Sequence, residues 1–284
     1  MDKHLIPKVI EHASQLREVV TELDTIVGDI RRAPFTNGSK EEFYNITRRA
    51  ALVRQREAID AIISLCETGH SAFAVCLLRP AFEEQLWLEY LAKYPAEAPN
   101  LVLALGQKII ADSMRAQSEY LGKDGMHAAG FSMKLVKRFL AHATQSVTTL
   151  KTLGAKLGWR QGADLPTLTH VAQKVGRKKE YDFLYEATSR YVHFSPHELM
   201  RRAWGDHREM RISSSHFTGY WSAFALHWSL RIYVNTIIAC ADLFPDDADP
   251  EVYDRLFRLL SDYVPQVPIL TSEELKWPTR KGST

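Results

Sequence analysis

The chain has 284 residues, 45% of them hydrophobic and 25% charged, with 36 Lys and Arg against 34 Asp and Glu. These are the proportions of an ordinary soluble globular protein. They exclude a disordered chain, a collagen-like repeat, a disulfide-rich secreted mini-protein and a strongly basic nucleic-acid tail.

Helical periodicity runs through most of the sequence. Leu5, Val9, Leu16, Val20, Leu23, Val27 and Ile30 recur at helical steps and predict a long amphipathic first helix. Pro34 and Asn37-Gly38 break it. Ser39 and Glu42 are spaced as a capping box, which predicts a second helix to about Thr68, stopped by Gly69. Ser71 can cap a third helix, Phe73 to Tyr94, with Pro80 inside it as a kink. A fourth follows Pro95 and Pro99 and runs to about Tyr120, and Gly122-Lys123-Asp124-Gly125 reads as a loop. A fifth spans about Met133 to Leu157, a short one Thr167 to Val175, and another Arg177 to Arg190.

From Tyr191 to Arg211 the pattern fails, and Pro196 and Gly205 predict an irregular connection. Ser213 to Phe244 reads as a helix apolar on nearly all sides, which belongs in the middle of a bundle. Glu251 to Tyr263 reads as a last helix. No sustained alternation marks a strand. The expected fold class is all-α, a bundle of about eight or nine helices around the buried Ser213–Phe244 helix. Residues 1–264 are expected to form a single helical domain, with 1–69 a candidate N-terminal hairpin packed on it, and 265–284 a polar tail.

Cys66, Cys76 and Cys240 lie in apolar surroundings without a CxxC pair, as expected of reduced buried thiols in a cytoplasmic protein. The N-terminus lacks the basic start and apolar run of a signal peptide. The apolar stretch from Ile212 to Leu230 carries serines, two histidines and a threonine, so it reads as a core helix, not a membrane span. The acidic polar face of the first helix argues against binding anionic lipid.

The sequence lacks a GxxxxGKS/T loop, a GxGxxG after a strand, HExxH, GxSxG and zinc-finger spacing. No cofactor or metal is expected. Two segments stand out instead. In Arg79-Pro80-Ala81-Phe82-Glu83-Glu84-Gln85-Leu86-Trp87, Arg79 and Glu83 are one helical turn apart amid apolar residues, which suits an ion pair and a binding role. In Tyr185-Glu186-Ala187-Thr188-Ser189-Arg190-Tyr191-Val192-His193-Phe194-Ser195-Pro196-His197, histidines and an arginine gather beside Ser189 and Ser195, the other two candidate binding residues. His193 and His197 are four apart, but Pro196 disfavours one regular helix through both. The 45 residues from Thr167 to Arg211 hold nine Lys and Arg against six Asp and Glu, a mild bias toward phosphate.

Together these segments resemble a family of uncharacterised, mainly bacterial proteins, number 5677 among the domains of unknown function. The likeness rests on the R-P-A-F-E-E-x-L-W-L-E-Y-L helix and the Y-E-x-x-S-R-Y-V-H-F-S-P run, and covers about Ala61 to Cys240. It implies an all-helical fold and no established activity. A weaker resemblance is to the HEPN ribonucleases, whose signature is an arginine, four to six residues and a histidine. Arg190 and His197 have six residues between them. That resemblance implies metal-independent RNA cleavage, with His197 moving protons and Arg190 holding phosphate, completed by a second chain in a symmetric dimer, and His193 is the third catalytic candidate. Tyr191 after the arginine and Pro196 beside the histidine depart from that pattern.

Two functions follow as expectations. One is a helical binding or interaction protein, with a role in bacterial defence or stress, acting through Arg79, Glu83 and the His193 loop. The alternative is the ribonuclease using Arg190 and His197, with RNA as partner and a homodimer as its form.

Overall fold

The computed structural model describes residues 16–18, 20, 21, 23, 24, 30–205, 209–213, 215–244, 269 and 270. The expected helix Glu251–Tyr263 and most of the expected first helix lie outside them. Within the first helix, Leu16, Val20 and Leu23 are buried and helical, as their spacing requires.

Helix α1, Lys40–Glu67, starts where the capping box places it. The Ser39 hydroxyl accepts from the Glu42 amide at 3.2 Å, and Glu42 accepts from the Ser39 amide at 3.2 Å. Helix α2, Ser71–Lys93, runs unbroken through Pro80. Proline carries no N–H, so the Cys76 carbonyl one turn earlier loses its helical donor there. Helix α3 spans Ala98–Ala128 and α4 spans Met133–Lys156, capped by Ser132. Helix α5 is Leu168–Lys174, capped by the Thr167 hydroxyl, and α6 is Lys178–Val192.

The expected loop at Gly122–Gly125 is instead a break of one residue inside α3, where Gly122 adopts φ 65° and ψ −176°. Only glycine takes such a backbone cheaply. The helix resumes because Met126 is buried with Met114 and Val136, an anchoring that the local sequence does not display.

The expected irregular stretch after α6 holds regular structure. Helix α7, Pro196–Met200, is followed by strands β1, Ala203–Gly205, and β2, Met210–Ile212. They pair antiparallel with Trp204 opposite Arg211. Helix α8, Thr218–Ala239, is shorter than the expected Ser213–Phe244 and is followed by a 3-10 turn, Ala241–Leu243. Helices make up most of the described residues and the sheet has two strands, so the fold is all-α.

By its contacts the chain divides into two compact units. One comprises Met1–Arg32, Arg49–Glu89 and Gly176–Thr284. Its core is built on α8, where Tyr220, Trp221, Phe224, Leu230, Tyr233 and Ile237 are buried on successive faces. Ile238, within the Ser213–Phe244 stretch expected to be buried, is exposed. Phe183 of α6 meets the rings of Phe224 and Trp228, and the Ser71 hydroxyl at the start of α2 donates to the Thr218 carbonyl at 2.9 Å. The other unit comprises Ala33–Arg48 and Tyr90–Val175. There α3 packs along α4, and the Trp159 indole donates to the Tyr90 hydroxyl at 2.9 Å.

Candidate functional site

Helices α2 and α6 bring the two distinctive sequence segments together. Arg79 Nε donates to Glu83 Oε1 at 3.0 Å, the one-turn pair read from their spacing. The Arg79 guanidinium also lies 4.6 Å from the centroid of the Tyr185 ring. Its Nη1 is 3.3 Å from His193 Nε2, across 114 residues of sequence. A guanidinium can only donate, so this geometry requires Nε2 of His193 to be the acceptor. Burial and the Glu83 carboxylate act on Arg79 in opposite directions, and the net effect raises its pKa above the ordinary arginine value. Arg79 is a cation at every working pH.

Below this cluster is a shallow cleft. Phe82, Leu184 and Thr188 are buried in its floor, while Arg79, Glu83 and Tyr185 form its rim. His193 ends α6 in an extended conformation, φ −109° and ψ 163°, which carries the chain off the helix. The next residue, Phe194, is 85% exposed. An exposed phenylalanine costs solvation unless something covers it.

The remaining candidates are placed separately. Arg190, in the last turn of α6, donates to Glu186 from Nε at 3.1 Å and again from Nη2. Ser189 contributes its carbonyl, which accepts from the His193 amide at 3.0 Å. Ser195 caps α7, its hydroxyl accepting from the Glu198 amide at 3.4 Å. His197 is exposed, with Nδ1 at 3.6 Å from Glu198 Oε1. Arg79, Glu83 and His193 therefore share one place, while Arg190 and His197 sit beside different carboxylates.

A second polar cluster had no counterpart in the sequence reading. Glu198 and Arg201 are both buried, and Arg201 Nη1 donates to the two Glu198 oxygens at 3.1 and 3.4 Å. Arg201 also lies over the Trp221 ring at 4.6 Å and donates to the Ile269 carbonyl at 2.5 Å. The Tyr191 hydroxyl completes it, accepting from Arg201 at 3.4 Å. Burial, then the Glu198 charge, pushes the Tyr191 hydroxyl far above the ordinary tyrosine range. The signal available beforehand was the three-residue step from Glu198 to Arg201 after a Ser-Pro helix start.

A family model matches residues 49–210, more than half of the chain, and both distinctive segments fall inside the match. The chain belongs to DUF5677, a family of unknown function. No curated protein and no solved structure matches it. The DUF5677 region contains Arg79, Glu83, Tyr185 and His193, and also Glu198 and Arg201. No comparison shows a likeness to HEPN ribonucleases, for which the Arg190/His197 spacing is the only ground. Among the described residues, no helix is long and apolar enough to cross a membrane, and no group of three or more His, Cys, Asp or Glu is placed to hold a metal ion.

Proposed function

We propose that this DUF5677 protein is a cytoplasmic, non-catalytic binding protein whose contact surface centres on Arg79, Tyr185 and His193. The observation that carries the reading is the Arg79 guanidinium, lying over Tyr185 and bonded to both Glu83 and His193 beside the exposed Phe194. Arginine and tyrosine side chains held rigid at a surface are the groups that dominate binding energy at interfaces. Val192, Leu199 and Met200 extend the exposed apolar surface along the same stretch of chain.

The ribonuclease reading has less support. The Glu186 carboxylate already neutralises Arg190, which reduces its attraction for a phosphate.

The test is to purify the protein from its native cell, alongside His193→Gln and Phe194→Asp, and to analyse what each retains by native mass spectrometry. The expected result is bound material on the wild type that both folded variants lose. Cleavage of mixed cellular RNA by the wild type, abolished in a folded His197→Ala, would overturn the non-catalytic reading.

A further inference from the structure

We propose that the Arg79–His193 contact is an oxyanion site, taking a carboxylate or phosphate carried on a flat apolar body. This rests on the binding reading above and names the chemistry of the ligand at the same surface.

A guanidinium has five N–H donors in a fixed fork. Glu83 takes the Nε donor at 3.0 Å, a charge-assisted bond that fixes the arginine in place. At Nη1 the acceptor is an imidazole nitrogen at 3.3 Å, a longer and uncharged partner. An anionic oxygen adds ion pairing to the guanidinium's charge, which a neutral ring nitrogen does not. A ligand oxyanion at Nη1 would therefore compete with His193 for the guanidinium, and His193 is exposed and lies at the end of α6 where the chain has left the helix.

The neighbours of the guanidinium supply the rest. Tyr185 covers one face of Arg79, has the Tyr181 ring 5.5 Å away, and is itself 38% exposed, so the exposed part of its ring can take a flat apolar group beside the anion. The buried Phe82 and Leu184 lie beneath. Glu83 stays on Nε and disfavours a second anion on that edge, so the site takes one oxyanion in one orientation.

The experiment follows the His193 imidazole by NMR in protein carrying isotope-labelled histidine, titrated with inorganic phosphate, phenyl phosphate and benzoate. The expected result is a saturable shift of His193, reached with phenyl phosphate at about one-tenth the concentration needed for inorganic phosphate, since a buried ring face adds to the anion's binding. The shift is lost in Arg79→Gln and weakened in Arg79→Lys, which keeps the charge but not the fork. The lysine variant also supplies the reading if the glutamine variant does not fold. No saturable shift with any of the three probes, or a shift undiminished in the arginine variants, overturns the site. Equal affinity for phenyl phosphate and inorganic phosphate overturns the apolar half of the assignment. Loss of bound material in Phe194→Asp without any anion effect on His193 removes the oxyanion site and leaves the binding reading standing.

Discussion

Arg177 donates from Nε to both carboxylate oxygens of Glu89, at 2.8 and 2.7 Å, and so ties the start of α6 to α2. Gln85 donates to the same Glu89 at 2.8 Å. Arg177 Nη1 reaches Glu180 at 3.0 Å, and Glu180 reaches Arg231 of α8 at 3.3 Å. This chain of partly buried charges sets the lie of α6, and two turns further along that helix Tyr185 meets Arg79. Glu89→Ala is expected to cost about 2 kcal/mol, below the usual cost of breaking a fully buried pair because some solvent reaches both groups. Urea denaturation measures the loss, and NMR should show Tyr185 perturbed although it is distant in sequence.

The Glu198–Arg201 pair is more deeply buried. Glu198→Ala leaves the Arg201 charge without its carboxylate and is expected to cost about 3–5 kcal/mol. The double variant Glu198→Leu with Arg201→Met removes both charges and is expected to recover most of that loss in the same denaturation experiment. Failure to recover would show that the arginine also matters through Trp221 and the Ile269 carbonyl.

Gly154 tests packing in the unit that holds α3, α4 and α5. A Cβ there would lie 2.5 Å from Cε3 of Trp159, whose indole is fixed by its bond to Tyr90. Alanine improves helix propensity by about 1 kcal/mol, but overpacking against a rigid ring costs about 1–3 kcal/mol. Gly154→Ala is therefore expected to destabilise, with a changed environment of Trp159 visible in near-UV circular dichroism.

Acid should act on the cap of α1. The Thr36 hydroxyl and amide, with the Asn37 and Gly38 amides, hold the Glu42 carboxyl down at about 2. The folded pKa lies below the unfolded value, so the native state favours the charged form. This contribution is fully present above the ordinary carboxylate range of about 4.3 and is lost as pH falls through about 2. The Tm difference between wild type and Glu42→Ala should be constant above pH 5.5 and shrink steadily toward pH 2. A difference that stays constant through that window would contradict the assignment.

Burial pushes the Cys66 thiol up to about 11, so little thiolate forms near neutrality. Cys240 is fully buried. Both thiols are expected to resist a disulfide reagent at pH 8 until the protein is unfolded, with the partly exposed Cys76 reacting first.

What was legible in the sequence was local. Ser39 and Glu42 announce their cap because the two residues that bond are three apart. Gly122 misled because a glycine between polar residues reads as a loop, whereas the helix resumes to bury Met126 against Val136. The hairpin was invisible because strands of three residues are too short to display alternation. Glu198 and Arg201 carry no such signal because charged residues after a proline read as surface, and their burial depends on Trp221 of a later helix. Arg79, Glu83 and His193 each stand out in the sequence, but the meeting of Arg79 with His193 follows from the packing of α6 on α2. No spacing within either segment encodes it.

The most direct measurement compares His193→Ala with the wild type for two properties in one preparation, stability in urea and retention of bound material. His193 is exposed, so the account predicts stability within about 0.5 kcal/mol of wild type together with loss of the bound material. A variant that loses stability while retaining its ligand or partner would contradict the account and make the Arg79–His193 contact part of the scaffold.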